Sequence, residues 1–348
     1  MTGTLYANLA LGVALTLLAF LVTLGVQHVL RIVDTPLERS SHYAPTPKSG
    51  GISIVVTFLI GMIIIYFYGD PGVVHHVFMF GFVSLSVVVA GVSLYDDVTN
   101  RSARFKLMSH VIIVVATLIS GIVLDQLALP TVGYVELHVL GYLISFLWIL
   151  GLTNAFNFMD GIDGLAAGTA AIAALFFMLI TFIQGSLFVY ITCYAILAGT
   201  LGFLFANFPP AKIFMGDVGS AFLGFVFATL AIIAARYDQS HTSFLVMPLL
   251  LFHFIYDTSF TMLRRLISGE NVTHAHREHL YQLMARLGFS HMEVTLTYYC
   301  AGFLQGLGAL LLIHIPGDER VFLFLPFFVT HSLFAYWIVT RAKRTGLI

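Results

Sequence analysis

Charge is what this chain has least of. Its 348 residues hold 16 Lys and Arg and 17 Asp and Glu, 9% in all, where soluble domains carry about 25%. That scarcity excludes a water-soluble globule. With 59% apolar residues and a mean hydropathy of +0.95, the chain falls in the membrane class. A formal net charge of −1 and the lack of any basic stripe leave nothing to attract nucleic acid. Cysteine is scarce too: Cys193 and Cys300 lie in apolar runs and offer no disulfide framework. No Lys or Arg precedes the first apolar run, Leu5–Leu30, which is too long for a signal-peptide core. It reads as an uncleaved first span with its N-terminus outside.

A helix crosses a bilayer with about 20 apolar residues. Runs of about that size cover Leu5–Leu30, Gly51–Tyr68, Val74–Leu94, Leu107–Leu124, Leu137–Leu152 and Leu165–Gln184. Five more cover Leu187–Ala206, Ala221–Ala235, Phe244–Leu263, Val294–Ile313 and Val321–Val339. No gap between them would hold a soluble domain. The expectation is an all-α polytopic membrane protein: about eleven transmembrane helices, a single transmembrane catalytic domain over residues 1–348, and a cytoplasmic C-terminus. With the N-terminus outside, the outer loops keep only Arg236 and Arg320 of the 16 basic residues. That is a strong positive-inside bias.

Against this apolar background five aspartates stand out. A carboxylate costs roughly 2.5–3.5 kcal/mol at the centre of an inserted helix, so each needs a reason. They occupy three polar islands, and the eleven-span parity puts all three on the cytoplasmic side.

The first island is Asp96-Asp97 with Lys106 downstream, expected to open a loop that re-enters the membrane at Leu107. One of these acids suits a divalent cation or a base, and Lys106 suits a phosphate. Taken alone, the group reads equally as a solvated charge pair with a basic anchor. The second, Asn154-Ala-Phe-Asn157-Phe-Met-Asp160-Gly-Ile-Asp163-Gly164, is more specific. On a helix, Asn157, Asp160 and Asp163 would share a face, and the glycines permit close approach of an anionic ligand. In the third, Asn207 to Ser220, Pro209 and Pro210 end a helix. Phe214 offers a ring to stack on a base, and Asp217 reads as a metal ligand or as a helix N-cap. A basic loop, His274-Ala-His276-Arg277-Glu-His279-Leu-Tyr281-Gln282, and the stiff turn Pro45-Thr-Pro-Lys48-Ser-Gly-Gly51 complete the set. The histidines lack the Cys or fourth ligand of a zinc site and fit diphosphate oxygens better.

In this order the motifs PTPKSGG, YDD with its Lys, NAFNFMDGIDGLA, NFPPAKIFMGDVGS and HAHREHLYQ resemble the polyprenyl-phosphate N-acetylhexosamine-1-phosphate transferases over about Thr46–Gln282. The resemblance implies a cytoplasmic Mg²⁺ site (Mn²⁺ is the other candidate) in the bacterial cytoplasmic membrane. It implies transfer of N-acetylhexosamine-1-phosphate from a UDP-sugar to undecaprenyl phosphate, releasing UMP. By motif, Asp217 is the expected metal ligand, Asp96 the base with Asp97 beside it, and Asp160 and Lys106 further catalytic groups. Asn157 shapes the diphosphate site. Asp163, Asn207 and Phe214 match positions that meet uridine. Lys48, His274, His276, Arg277 and His279 are expected to bind phosphates or the nucleotide-sugar. The partners implied are a UDP-N-acetylhexosamine, undecaprenyl phosphate and membrane lipids, with a homodimer left open.

In the MurNAc-pentapeptide branch the last loop carries consecutive histidines. Here it reads HAHREH, which favours the branch that starts O-antigen or a related surface polysaccharide. Pentapeptide transfer is the runner-up, and an ion-coupled transporter is the rival from another class. The acids of a transporter usually lie mid-membrane between repeats, whereas these lie at helix ends. Direct in-line attack competes with a two-step route through an aspartyl-phosphosugar.

Overall fold

A computed structural model describes residues 2–30, 32–34, 45–68, 76–129, 132–238, 240–271 and 276–348. The helices are α1 (Thr2–Val29), α2 (Ile52–Tyr68), α3 (His76–Thr99), α4 (Ala103–Ile119), α5 (His138–Met159), α6 (Leu165–Ile183) and α7 (Phe188–Asn207). They continue as α8 (Asp217–Arg236), α9 (Val246–Leu250), α10 (Phe252–Ile267), α11 (Leu280–Arg286), α12 (His291–Leu312) and α13 (Phe324–Arg344). Each of the eleven apolar runs overlaps helix, as it must where lipid offers no partner for backbone N–H and C=O groups. Among the described residues, eight helices are long and apolar enough to cross a membrane. Three others, α2, α4 and α10, are shorter, at 17, 17 and 16 residues. The ninth run is not continuous: it breaks at Leu251 into α9 and α10.

Two small antiparallel pairs were not expected. β1 (Val33–Asp34) pairs with β2 (Thr46–Pro47), with Val33 opposite Pro47. β3 (Gln126–Leu129) pairs with β4 (Gly133–Glu136), with Gln126 opposite Glu136.

The bundle is built around α8, apolar on every side and 94% buried over its span, as expected of a helix surrounded by others. It packs on α5 and α3, while α7 packs on α6, α1 and α2, and α12 packs on α6. Phe58, Phe82, Phe156, Phe222 and Phe227 fill the centre and are fully buried. On the outside, Leu9, Val13, Leu17 and Leu21 of α1 and Leu325, Phe328, Val329 and Leu333 of α13 stand exposed. An apolar belt of that size suits lipid and not water.

The two ends of the bundle differ. At one, Arg236 pairs with Asp125 at 2.9 Å and Ser186 donates to Asp238 at 3.0 Å. At the other, all three acidic islands meet. Gly50 N and Gly51 N donate to Phe214 O and Met215 O, each at 2.9 Å, which laces the start of α2 to the start of α8. Here the backbones touch, and a Cβ on Gly51 would collide with Gly219 Cα. Because backbone cannot rotate away, Gly51→Ala is expected to destabilise the fold by about 1–3 kcal/mol and to depress activity further by spreading the acidic end. Wild-type melting and turnover in detergent would contradict this account of the contact.

Candidate active site

The first island sits on helix, not in a loop. α3 continues through Asp96 and Asp97 to Thr99, the turn is only three residues, and α4 begins at Ala103 with Ser102 as its cap. Asn100, at φ 48°, makes the reversal, a conformation Asn tolerates better than most residues. The tight turn brings Lys106, in the first turn of α4, back over Asp96. Its Nζ lies 3.5 Å from Asp96 Oδ2 and also pairs with Asp217 Oδ2. Arg101 N donates to Asp96 Oδ1 at 3.0 Å.

Asp97 points elsewhere. It accepts from Asp217 N and Val218 N at 3.2 Å each and from Ser49 Oγ at 3.3 Å. It thus caps α8 from another helix, because the residue at that helix's own cap is Gly216 and has no side chain to do so. Gly216 has φ 73°, and a Cβ there would lie 2.6 Å from Asp97 Oδ2, so glycine is required twice over. Asp217 is therefore the first residue of α8 and not its cap. Lys48 Nζ lies 3.8 Å from Asp97 Oδ1 and donates to Asn100 Oδ1 at 3.3 Å.

The second island straddles a helix end. α5 stops at Met159 and α6 starts at Leu165 after Gly164, at φ 74°. Asn157 is on the helix, but Asp160 and Asp163 lie in the turn, so the three do not share a helical face as the spacing predicted. The glycines at 161 and 164 divert the chain. Asn157 Nδ2 donates to Asp217 Oδ1 and, at 3.0 Å, to Ser220 Oγ. Asp163 Oδ2 accepts from Ala211 N at 3.0 Å. Asn207, 3% exposed, accepts from Gly164 N at 3.1 Å and donates to Ile213 O at 2.9 Å; both ends of its amide tie the second island to the third. Phe214, half-buried, is held through its backbone, its N–H donating to Pro47 O at 2.8 Å. Burial, and then the charges of Asp217 and Asp97, raise the Asp160 carboxyl well above the usual carboxylate range.

In the basic loop, His274 lies outside the described residues. The His279 ring stacks on Phe158 with centroids 6.0 Å apart and on Tyr281 at the same separation. His276 lies 4.9 Å from it, ring to ring, and its Nδ1 accepts from Glu278 N at 3.3 Å. Burial, and then the charges of His279, Arg265 and Arg264, push the His276 imidazole down to about 4, so it is neutral at pH 7. Arg286 holds Arg277 in place, its Nη1 donating to Arg277 O at 3.1 Å.

Other residues at this end did not stand out in the sequence as site residues. His110, one turn beyond Lys106, meets Asn154 at 3.3 Å. His291 Nδ1 lies 3.4 Å from Asp163 Oδ1. Tyr281 donates to Phe158 O at 2.9 Å, and Asp257 lies beneath it. For Asp257 the signal was available: an acid inside the apolar run Phe244–Leu263 carries the same desolvation cost that singled out the other five.

Among the described residues no three His, Cys, Asp or Glu side chains are gathered as a preformed metal site. What is present is Asp96 and Asp217 on either side of the Lys106 ammonium, with the Asn157 amide on Asp217. The two carboxylates form a hard-oxygen donor pair, and the Asn157 NH₂ group orients one of them. The pair fits Mg²⁺ or Mn²⁺, which take one or two carboxylates and complete their shell with phosphate oxygens and water.

Fold and site together define an all-α, multi-pass membrane protein with a cluster of acids, amides and lysine at one end of its bundle. Residues 79–235 match the family described as Glycosyl transferase family 4. The chain is 28% identical over 317 residues to a probable undecaprenyl-phosphate N-acetylglucosaminyl 1-phosphate transferase of Bacillus subtilis, covering 91% of this chain and 85% of that one. It is 31% identical over 299 residues to a decaprenyl-phosphate N-acetylglucosaminephosphotransferase of Mycobacterium tuberculosis (78% and 73%). To a phospho-N-acetylmuramoyl-pentapeptide-transferase of Staphylococcus saprophyticus it is 25% identical over 276 residues (75% and 83%). The chain belongs to the polyprenyl-phosphate N-acetylhexosamine-1-phosphate transferase family and is an integral-membrane transferase.

Proposed function

We propose that this protein transfers N-acetylhexosamine-1-phosphate from a UDP-sugar to undecaprenyl phosphate, releasing UMP, and so starts a surface polysaccharide of the O-antigen type. The observation that carries the reading is convergence. Asp97 and Asp217, 120 residues apart in sequence, are joined by a hydrogen bond, and Asp96, Lys106 and Asn157 close on the same point. N-acetylglucosamine is the donor sugar the relatives' names point to.

A lipid monophosphate has a second pKa near 6 and is largely a dianion at neutral pH, so attack needs little help from a base. One of its oxygens forms the new bond to the β-phosphorus. The bond from that phosphorus to the oxygen bridging to the α-phosphate breaks, and UMP leaves with the electron pair. Positioning and charge neutralisation dominate such transfers. Lys106 and Arg277 supply positive charge, and Asn157 orients Asp217. A divalent cation held by Asp217 and Asp96 would add the neutralisation that phosphoryl transfer most often draws on.

The reading places eleven spans in the bacterial cytoplasmic membrane with this site facing the cytoplasm. That orientation rests on the distribution of basic residues and on all three islands lying at one end of the bundle.

The test is nucleotide release by purified protein with Mg²⁺, undecaprenyl phosphate and a panel of UDP-N-acetylhexosamines. UMP release that requires both lipid and metal is expected, strongest with UDP-N-acetylglucosamine. Release of UDP would overturn sugar-1-phosphate transfer. Preference for UDP-MurNAc-pentapeptide would select the peptidoglycan reaction instead.

A further inference from the structure

Asp257 is the only acid in α10 and is 1% exposed. Its two oxygens collect an unusual number of donors. Oδ1 accepts from Leu280 N at 2.8 Å and Thr261 Oγ1 at 3.2 Å, with His279 Nδ1 at 3.4 Å. Oδ2 accepts from Tyr298 Oη at 2.6 Å and Tyr281 N at 3.2 Å. Two of the four hydrogen bonds come from consecutive backbone N–H groups, those of Leu280 and Tyr281, at the start of α11, with the His279 ring beside them. A carboxylate in this place offsets its desolvation by tying down a short helix whose first N–H groups have no acceptor of their own.

What α11 carries makes the tie consequential. Tyr281 is fully buried, and its hydroxyl donates to Phe158 O at the end of α5. The same hydroxyl lies against Gly161, where any Cβ would collide with it. Asp160 sits between these two contacts. A shift of α11 therefore cannot be absorbed within α11, because Tyr281 transmits it to the turn that bears Asp160 and Asp163.

We infer that Asp257 is a positioning residue for the transfer reaction, fixing the start of α11 and, through Tyr281, the 158–164 turn. The role in transfer rests on the function proposed above; the mechanical link does not. An amide cannot replace the carboxylate, since the substitution Asp257→Asn would keep one acceptor oxygen and turn an NH₂ group towards donors.

The experiment compares Asp257→Asn, Tyr281→Phe and the double variant of the full chain in detergent, by UMP-release kinetics and by amide hydrogen exchange. Each single variant is expected to raise KM for the UDP-sugar about fivefold or more while KM for undecaprenyl phosphate stays within about twofold. If Asp257 acts through Tyr281, the double variant exceeds the worse single by no more than about twofold, since residues in one chain of contacts do not add. Exchange in the 158–164 turn should quicken in both single variants, but in α11 only for Asp257→Asn. Independent, multiplying effects on KM would overturn the inference. So would a loss confined to kcat and melting temperature, which a plain helix cap predicts. Gln305→Ala disturbs the neighbouring buried contact to His253 and should lower the melting temperature without moving KM. If Asp257→Asn does not fold, Tyr298→Phe removes one donor from the same carboxylate and should shift KM in the same direction by less. Absence of UMP release from the wild type would defeat the transfer reading and the role in it, and the exchange data would still decide the link to the turn.

Discussion

Asp217→Asn is expected to lower UMP release by about 10²–10³-fold, the scale seen when a group stabilising transition-state charge is removed, while leaving a folded protein. Asp217 is the point where three elements meet. Lys106 of α4 pairs with it, Asn157 of α5 donates to it, and its own N–H is held by Asp97 of α3. The amide is nearly isosteric, and the backbone cap supplied by Asp97 does not involve the Asp217 side chain. Lys106 keeps Asp96 as a partner at 3.5 Å. The structural loss is thus one charged hydrogen bond, about 1.5–3 kcal/mol. What the variant lacks is the negative charge that a divalent cation requires of its ligand. Turnover is measured by nucleotide release and folding by thermal melting in detergent. Retention of more than about a tenth of wild-type turnover would remove Asp217 from the centre of the chemistry.

Helices were legible because lipid leaves the backbone no other partner, so apolar length alone located them. Their ends were less legible, since polarity marks where lipid stops and not where a helix stops. α3 runs past Leu94 to Thr99, carrying Asp96 and Asp97 on its last turn. The 158–164 segment fails in the opposite sense: its spacing reads as a helical face, but Gly164 takes a left-handed conformation and the chain turns. The two strand pairs have no periodic signal at all, being two and four residues long per strand and set by the pairing of one strand with the other.

Within the site, residue types marked which side chains gather at one end of the bundle but not what each of them touches. Asp96 and Asp97 look like equals in sequence; in three dimensions one faces Lys106 and the other the backbone of α8. Asn207 looks like a ligand group, yet its amide is occupied at both ends by backbone. Such assignments depend on which helix lies opposite, which a single chain of letters does not state. Asp257 was overlooked for a different reason. Its signal was as strong as that of the five island acids, but no neighbouring motif drew attention to it.

Lys106→Met should have the second large effect, and it separates two roles of the same ammonium. The side chain keeps its length and apolar stem, so packing changes little, but Asp96 and Asp217 are left facing each other without a counter-charge. Two like unit charges about 4 Å apart repel by about 4 kcal/mol at the effective dielectric of a protein surface. In metal-free buffer the variant should therefore melt well below wild type. If the two carboxylates form the divalent site, Mg²⁺ should restore much of that loss in the variant and change wild-type melting far less, since there the ammonium already neutralises the pair. Binding that favours the folded state raises stability by mass action, as the logarithm of one plus the ratio of ligand to Kd, so the dependence of melting on Mg²⁺ concentration, fitted to that form, gives the affinity of the pair. Turnover should nonetheless stay about 10²-fold or more below wild type at saturating Mg²⁺, because the cation replaces the ammonium between the carboxylates but not beside the substrate phosphates. Melting indifferent to Mg²⁺ in this variant would argue that Asp96 and Asp217 do not share a cation. Turnover restored along with stability would reduce Lys106 to a structural counter-ion and leave neutralisation of the diphosphate to Arg277 and the metal.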